Sequence, residues 1–188
     1  MLDLDETLIH YRDTSPDTCT EDAESSCGED IDSPKKKEKF EESTPKKVKQ
    51  EEDEEVIFFI RPGLNNFLST LALHYELVLY TAATRDYANY FLRLIDHKNL
   101  FGENVLTREH CTFENDYAIK DLRLLGRDLK KTIIIDNLKQ NFDKTTPDNG
   151  IHISNFEGCF DDTELPKFEK FLTELAMNDV DDVRDIIV

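Results

Sequence analysis

The sequence predicts an α/β domain: a largely parallel sheet flanked by helices, with no large cap domain. Three observations carry that prediction. Short β-branched and aromatic runs alternate with segments of helical periodicity along most of the chain. The runs are apolar throughout rather than alternating with polar residues, as strands covered on both faces are. Carboxylate, amide or hydroxyl residues follow directly after several of these runs, where ligands of open parallel sheets bind.

The elements follow in order. Met1-Leu2 leads into Asp3 as a first strand, a short one against the usual length of about 5–6 residues. Val56-Ile57-Phe58-Phe59-Ile60 is a strand stopped by Arg61-Pro62-Gly63. Leu64, Phe67, Leu68 and Leu71 recur at helical spacing, and Pro62 suits a first turn. Leu77-Val78-Leu79-Tyr80 is a further strand, followed by a helix carrying Tyr87, Tyr90, Phe91 and Leu94. Thr132-Ile133-Ile134-Ile135 is the strongest strand signal, and Gly150-Ile151-His152-Ile153 a weaker one. Thr163 to Ala176, with Leu165, Phe168, Phe171, Leu172 and Leu175, reads as an amphipathic helix.

Residues 11–55 break this texture. They are polar and charged with only Ile31 and Val48 as aliphatics, too few to offset the entropy of ordering the backbone. The expectation is a single domain split into residues 1–10 and 56–188, interrupted by a disordered insertion over 11–55. The insertion is blocked by charge: acidic Glu21 to Asp32, basic Lys35 to Lys49, acidic Glu51 to Glu55. Ser33-Pro34-Lys35-Lys36 and Thr44-Pro45-Lys46-Lys47 look like proline-directed kinase sites. Lys46-Lys47-Val48-Lys49 fits a minimal nuclear-import pattern.

Composition narrows the function. Of 188 residues 34% are charged and the net charge is -18, so a nucleic-acid binder gripping phosphate with a basic face is not expected. Cys19, Cys27, Cys111 and Cys159 form no CxxC pair and read as free thiols of a reducing compartment. No apolar run approaches the roughly 18–20 residues of a membrane span, and the first residues lack a signal-peptide pattern. The expectation is a soluble intracellular protein, nuclear rather than cytoplasmic, of open oligomeric state.

At the strand ends stand Asp3 and Asp5, then Thr81, then Asp136-Asn137. Carboxylates brought to one rim repel, and a divalent cation with oxygen ligands relieves them; the absence of His or thiolate favours Mg²⁺ over zinc. Singly, each piece has a plain alternative: a helix cap for Thr81, turn chemistry for Asp136-Asn137, a turn or cap for the Asp-x-Asp. An EF-hand reading of Asp3-Leu4-Asp5 fails for want of the later Gly and bidentate Glu.

The run Leu2-Asp3-Leu4-Asp5-Glu6-Thr7-Leu8-Ile9-His10 resembles the D-x-D-x-T signature of the haloacid dehalogenase superfamily, and more narrowly the phosphatases of the RNA polymerase II carboxy-terminal domain. The likeness continues through Arg61-Pro62-Gly63, Leu79-Tyr80-Thr81-Ala82 with Tyr87-Ala88, and Arg108-Glu109-His110-Cys111. It resumes in Tyr117-Ala118-Ile119-Lys120-Asp121-Leu122, Leu125-Gly126-Arg127-Asp128-Leu129 and Ile133-Ile134-Ile135-Asp136-Asn137. The resemblance implies a Rossmann-like fold and a Mg²⁺-dependent protein serine/threonine phosphatase. Asp3 would be the nucleophile, Asp5 the acid and base, Thr7 an orienter of Asp5 and its loop, and Lys120 a neutraliser of charge. Thr81, Ala82, Tyr87 and Arg108 would bind phosphate or substrate. Asp3, Asp5 (through its carbonyl), Asn137 and, nearby, Asp136 would hold Mg²⁺. The substrate implied is a phosphoserine or phosphothreonine protein. The sequence departs from the polymerase-directed relatives at Thr84, polar where they tend to be apolar, and in the hydrophilic insertion, so Ser-Pro specificity is not carried over. Two rivals remain: an inactive binding module like the mitochondrial inner-membrane translocase subunit of this fold, and a small-molecule phosphohydrolase.

Overall fold

The computed structural model describes residues 1–12, 46–49, 55–115 and 117–187. Its strands are β1 (Ile9–Arg12), β2 (Lys46–Lys49), β3 (Glu55–Ile60), β4 (Leu79–Tyr80), β5 (Val105–Leu106), β6 (Thr112–Glu114), β7 (Tyr117–Ile119), β8 (Ile134–Asp136) and β9 (Gly150–His152). Among the described residues three α-helices accompany them, α1 (Leu64–Leu71), α2 (Arg85–Ile95) and α3 (Glu164–Met177).

The central sheet is parallel. β4 pairs with β5 and β8 with β9, and Leu2 joins the two pairs through parallel bridges to Leu79 and Ile135. The order is therefore β5, β4, Leu2, β8, β9. Short as it is, the Met1-Leu2 lead-in is gripped from both sides. Leu2 N–H donates to Val78 O (2.9 Å) and Tyr80 N–H to Leu2 O (2.8 Å); Asp3 N–H donates to Ile135 O and Ile135 N–H to Met1 O, both 3.0 Å. Asp3 thus leaves the middle of the sheet at the ends where β4 and β8 also stop.

A second sheet is antiparallel, in the order β1, β3, β2. The 56–60 run, grouped by its apolar content with the parallel strands, belongs here instead, with Ile9 opposite Ile60 and Arg12 opposite Ile57. Apolar content reports burial and not strand direction, so the two cases read alike in sequence. Tyr11, Arg12, Lys46–Lys49 and Glu55 all lie inside the expected insertion 11–55 yet pair in this sheet. Ladder hydrogen bonds come from the backbone and need no apolar side chain, which is why a lysine-rich segment can serve as an outer strand. Positions 13–45 and 50–54 lie outside the described residues, and with them Ser33-Pro34, Thr44-Pro45, Cys19 and Cys27.

The helices form where periodicity placed them. α1 buries Leu64, Phe67, Leu68 and Leu71, and it packs on α3, which buries Leu165, Leu172 and Leu175. Gly63, at φ +84°, turns the chain into α1 in a conformation that a side chain disfavours. Thr84 caps α2 by accepting the Tyr87 N–H, and the helix buries Ala88, Phe91 and Ile95. β9 must begin with glycine for a different reason: a Cβ on Gly150 would lie 1.9 Å from the Phe142 ring. The strands β5, β6 and β7 have two or three residues each, too few to show a period.

Candidate active site

The loop over residues 3–9 begins as an extended stretch in which Leu2 and Leu4 are buried in the core while Asp3 and Asp5 alternate with them. It then turns through Glu6, at φ +58° in the left-handed region. That turn is closed by Glu6 N–H to Ile9 O (2.8 Å) and Leu8 N–H to Leu4 O (2.9 Å). A non-glycine residue held there stores local strain, which the surrounding contacts must hold in place.

Lys120 lies at the centre of the site. It follows β7, its N–H donates to Asn141 O (2.7 Å), and its side chain is fully buried. Its Nζ donates to Asp3 Oδ1 at 2.5 Å and to Asp136 Oδ2 at 2.6 Å. Asp136 is held further by the Leu138 N–H (2.8 Å) and by Asn141 Nδ2, which lies 3.1 Å from each carboxylate oxygen. Burial pulls the Lys120 ammonium down, but the two carboxylates outweigh it and hold its pKa above the ordinary lysine value. One ammonium facing two carboxylates leaves a net negative cluster. Burial accordingly pushes Asp3 up to about 7, against the pull of Lys120. Burial also raises Asp5, while a hydrogen bond from the Tyr87 hydroxyl to Asp5 Oδ1 at 2.6 Å opposes the rise.

Thr81 stands at the end of β4, buried, with its N–H on Leu106 O (2.9 Å). Its Oγ1 accepts the Ala83 N–H (3.0 Å), and a hydroxyl that accepts one bond keeps its hydrogen to donate. Ala82, half-buried, follows in the turn into α2. Thr7 is placed differently from expectation. Its Oγ1 lies 3.4 Å from Asp3 Oδ2 and 3.4 Å from Asn137 Oδ1, so it orients those two groups and not the Asp5 carboxyl. Arg108 is exposed at the margin, its guanidinium 4.8 Å from the centre of the Phe113 ring. The structure thus brings Asp3, Thr7, Lys120, Asp136 and Asn137 into one bonded network, beside which Asp5 and Tyr87 form a separate hydrogen-bonded pair.

Among the described residues no three His, Cys, Asp or Glu side chains converge as a metal cluster. The donor set still fits a hard cation that keeps much of its water, as Mg²⁺ does. Asp3 Oδ2 and Asn137 Oδ1 converge on the same Thr7 hydroxyl. Asp136 differs from them, with both oxygens engaged by Lys120, Asn141 and the Leu138 N–H.

Three residues of the site have no role assigned from sequence: Arg61, which appears only within the Arg61-Pro62-Gly63 motif, Asn141 and Asn155. Arg61 is fully buried; its Nε and Nη2 grip Asp162 (3.0 and 2.8 Å), Nη1 donates to Thr7 O (3.1 Å) and Nη2 to Ser154 Oγ (3.1 Å). Arg61→Ala should cost about 3–5 kcal/mol, since it strands a largely buried carboxylate and frees the Thr7 carbonyl. Arg61→Lys, which keeps the charge but not the fork, should lose less. Urea unfolding of the three proteins checks both.

Residues 1–184 match the model of the NLI interacting factor-like phosphatase family. The chain belongs to this family. Within it the chain is 34% identical over 187 residues to CTD small phosphatase-like protein 3 of Caenorhabditis elegans, covering 100% of this chain and 57% of that protein. It is 37% identical over 132 residues to the mitochondrial import inner membrane translocase subunit TIM50 of Yarrowia lipolytica, covering 68% of this chain and 27% of that one. The NLI interacting factor-like chain therefore spans about half or less of the length of these relatives. A solved structure of the RNA polymerase II CTD phosphatase Fcp1 superposes with a TM-score of 0.56 at 22% identity, over 93% of this chain and 48% of that one, which shows a shared fold. The α/β expectation and the superfamily resemblance both hold. No helix among the described residues is long and apolar enough to cross a membrane.

Proposed function

We propose that the protein is a Mg²⁺-dependent phosphoserine/phosphothreonine phosphatase that works through a phosphorylated Asp3. The Lys120 bridge between Asp3 and Asp136 carries the reading. A lysine buried between two carboxylates is costly as architecture and useful where an anionic nucleophile must meet an anionic substrate.

In this reading an Asp3 carboxylate oxygen attacks phosphorus and the bond to the serine or threonine oxygen breaks. Asp5, two residues on, gives its proton to that leaving oxygen; its raised pKa supports the protonated form that the step requires. Water then attacks the aspartyl-phosphate, Asp5 takes its proton, and inorganic phosphate leaves with Asp3 restored. Lys120 neutralises charge on Asp3 and on the phosphoryl oxygens, and Thr81 donates to one of them. Asp3, Asn137 and the Asp5 carbonyl would hold Mg²⁺, which when bound screens nucleophile from substrate. Tyr87 and Arg108 border the approach as substrate contacts, and Ala82 offers its backbone to the phosphate. A phosphorylated protein is the substrate class of this reading, supported by the similarity to the CTD small phosphatase-like protein.

The test is hydrolysis of an aryl phosphate and of phosphoserine peptides with Mg²⁺ and with EDTA. Activity should appear with Mg²⁺, vanish with EDTA and return on adding the metal back. Equal rates in EDTA would overturn the metal role. No turnover with any phosphoester would instead favour a binding role, a reading to which the similarity to TIM50 gives weight.

A further inference from the structure

Resting on the metal reading above, the geometry points to Asn155 as a positioning residue that fixes which end of the Asn137 amide faces the metal site. An amide's oxygen can ligate a cation and its nitrogen cannot, yet the two ends have nearly the same shape. Something must therefore select the orientation of Asn137, which is buried beside the catalytic aspartates. Asn155 does so: Asn137 Nδ2 donates to Asn155 Oδ1 at 3.1 Å. With its nitrogen held there, Asn137 turns Oδ1 toward Thr7 Oγ1 and so toward the side on which Asp3 Oδ2 lies.

Asn155 suits this role because the residues on either side of it are tied to the segments that build the site. Ile153 N–H donates to Asp136 O (3.2 Å), Ser154 Oγ accepts from Arg61 Nη2, and Phe156 N–H donates to Glu6 O (2.7 Å). The segment after β9 is thereby a brace spanning the D-x-D-x-T loop and the Asp136-Asn137 end of β8. Asn155 itself is exposed, so its side chain adds little to the core and its loss should leave the fold intact.

Partners that orient metal ligands commonly change affinity about 10–100-fold when removed. Parent, Asn155→Leu and Asn155→Asp are compared by Mg²⁺ titration calorimetry and by thermal melting in EDTA. Leucine removes the acceptor without adding charge, and aspartate keeps an acceptor that cannot donate. Asn155→Leu should bind Mg²⁺ at least about 10-fold more weakly, with its melting point in EDTA unchanged, and Asn155→Asp should bind as well as the parent or better. Equal affinity in Asn155→Leu would overturn the inference and leave the metal reading standing. If leucine lowers both affinity and melting point, aspartate decides: restored affinity supports the role and continued loss overturns it. A parent that binds no Mg²⁺ overturns the metal reading and this inference with it.

Discussion

Replacing Lys120 by methionine should both unfold the protein more easily and slow it. Methionine has nearly the lysine volume but no charge, so Asp3 and Asp136 would be left buried together without their ammonium. Stranding buried charge in this way costs about 3–5 kcal/mol. Loss of a preorganised positive group facing a developing anionic centre should lower turnover by about 10²–10³-fold. The stability loss should also depend on pH in a fixed direction. Asp3 already has a folded pKa of about 7, raised from 3.8, so the folded state holds a proton that the unfolded state releases between those values. A carboxyl raised on folding destabilises progressively as pH rises through that window, and removing Lys120 raises it further. The metal-free variant should therefore differ less from the parent at about pH 5 than at about pH 8. Urea unfolding in EDTA at both values measures this.

Asp3→Asn should have the opposite profile, with little change in stability and near-complete loss of turnover. Asparagine keeps the shape of aspartate, and Asp136 still partners Lys120 at 2.6 Å. The neutral amide is a poor nucleophile, however, and nothing nearby replaces it. Asp5 is bonded to Tyr87 and stands on the side of the leaving oxygen in the proposed reaction. Removal of a nucleophile that works as part of a unit costs on the order of 10⁴-fold or more. Thermal melting beside initial rates separates this outcome from misfolding.

Much of the site was legible in the chain because parallel sheets deliver their strand ends to one rim. Asp3, Thr81 and Asp136-Asn137 each follow an apolar run, and a topological rule sufficed to bring them together. Lys120 was legible through its motif alone, since no local pattern announces that a lysine will be buried. What stayed hidden depends on contacts between distant segments. Arg61 meets Asp162 across 101 positions, and Thr7 meets Asn137 across 130. Asn141 serves the site through its amide on Asp136 and its carbonyl on the Lys120 N–H, and Asn155 through one bond to Asn137, from segments with no periodic signature. Tyr87 looked as much a core aromatic as a site residue, and it is both: its ring packs 4.7 Å from that of Phe91, while its hydroxyl reaches Asp5. The antiparallel pairing of Lys46–Lys49 escaped for another reason. Its residues read as solvated charge, and a backbone ladder leaves no mark in the sequence.

In the proposed reaction the phosphoryl group passes through Asp3. Protein quenched in acid during turnover of a phosphoserine peptide with Mg²⁺, then digested and read by mass spectrometry, tests it most directly. A phosphate on the peptide containing Asp3, sensitive to hydroxylamine and missing in Asp3→Asn, is the predicted result. Undiminished turnover in Asp3→Asn, or a phosphate trapped on another residue while that peptide stays bare, would contradict it.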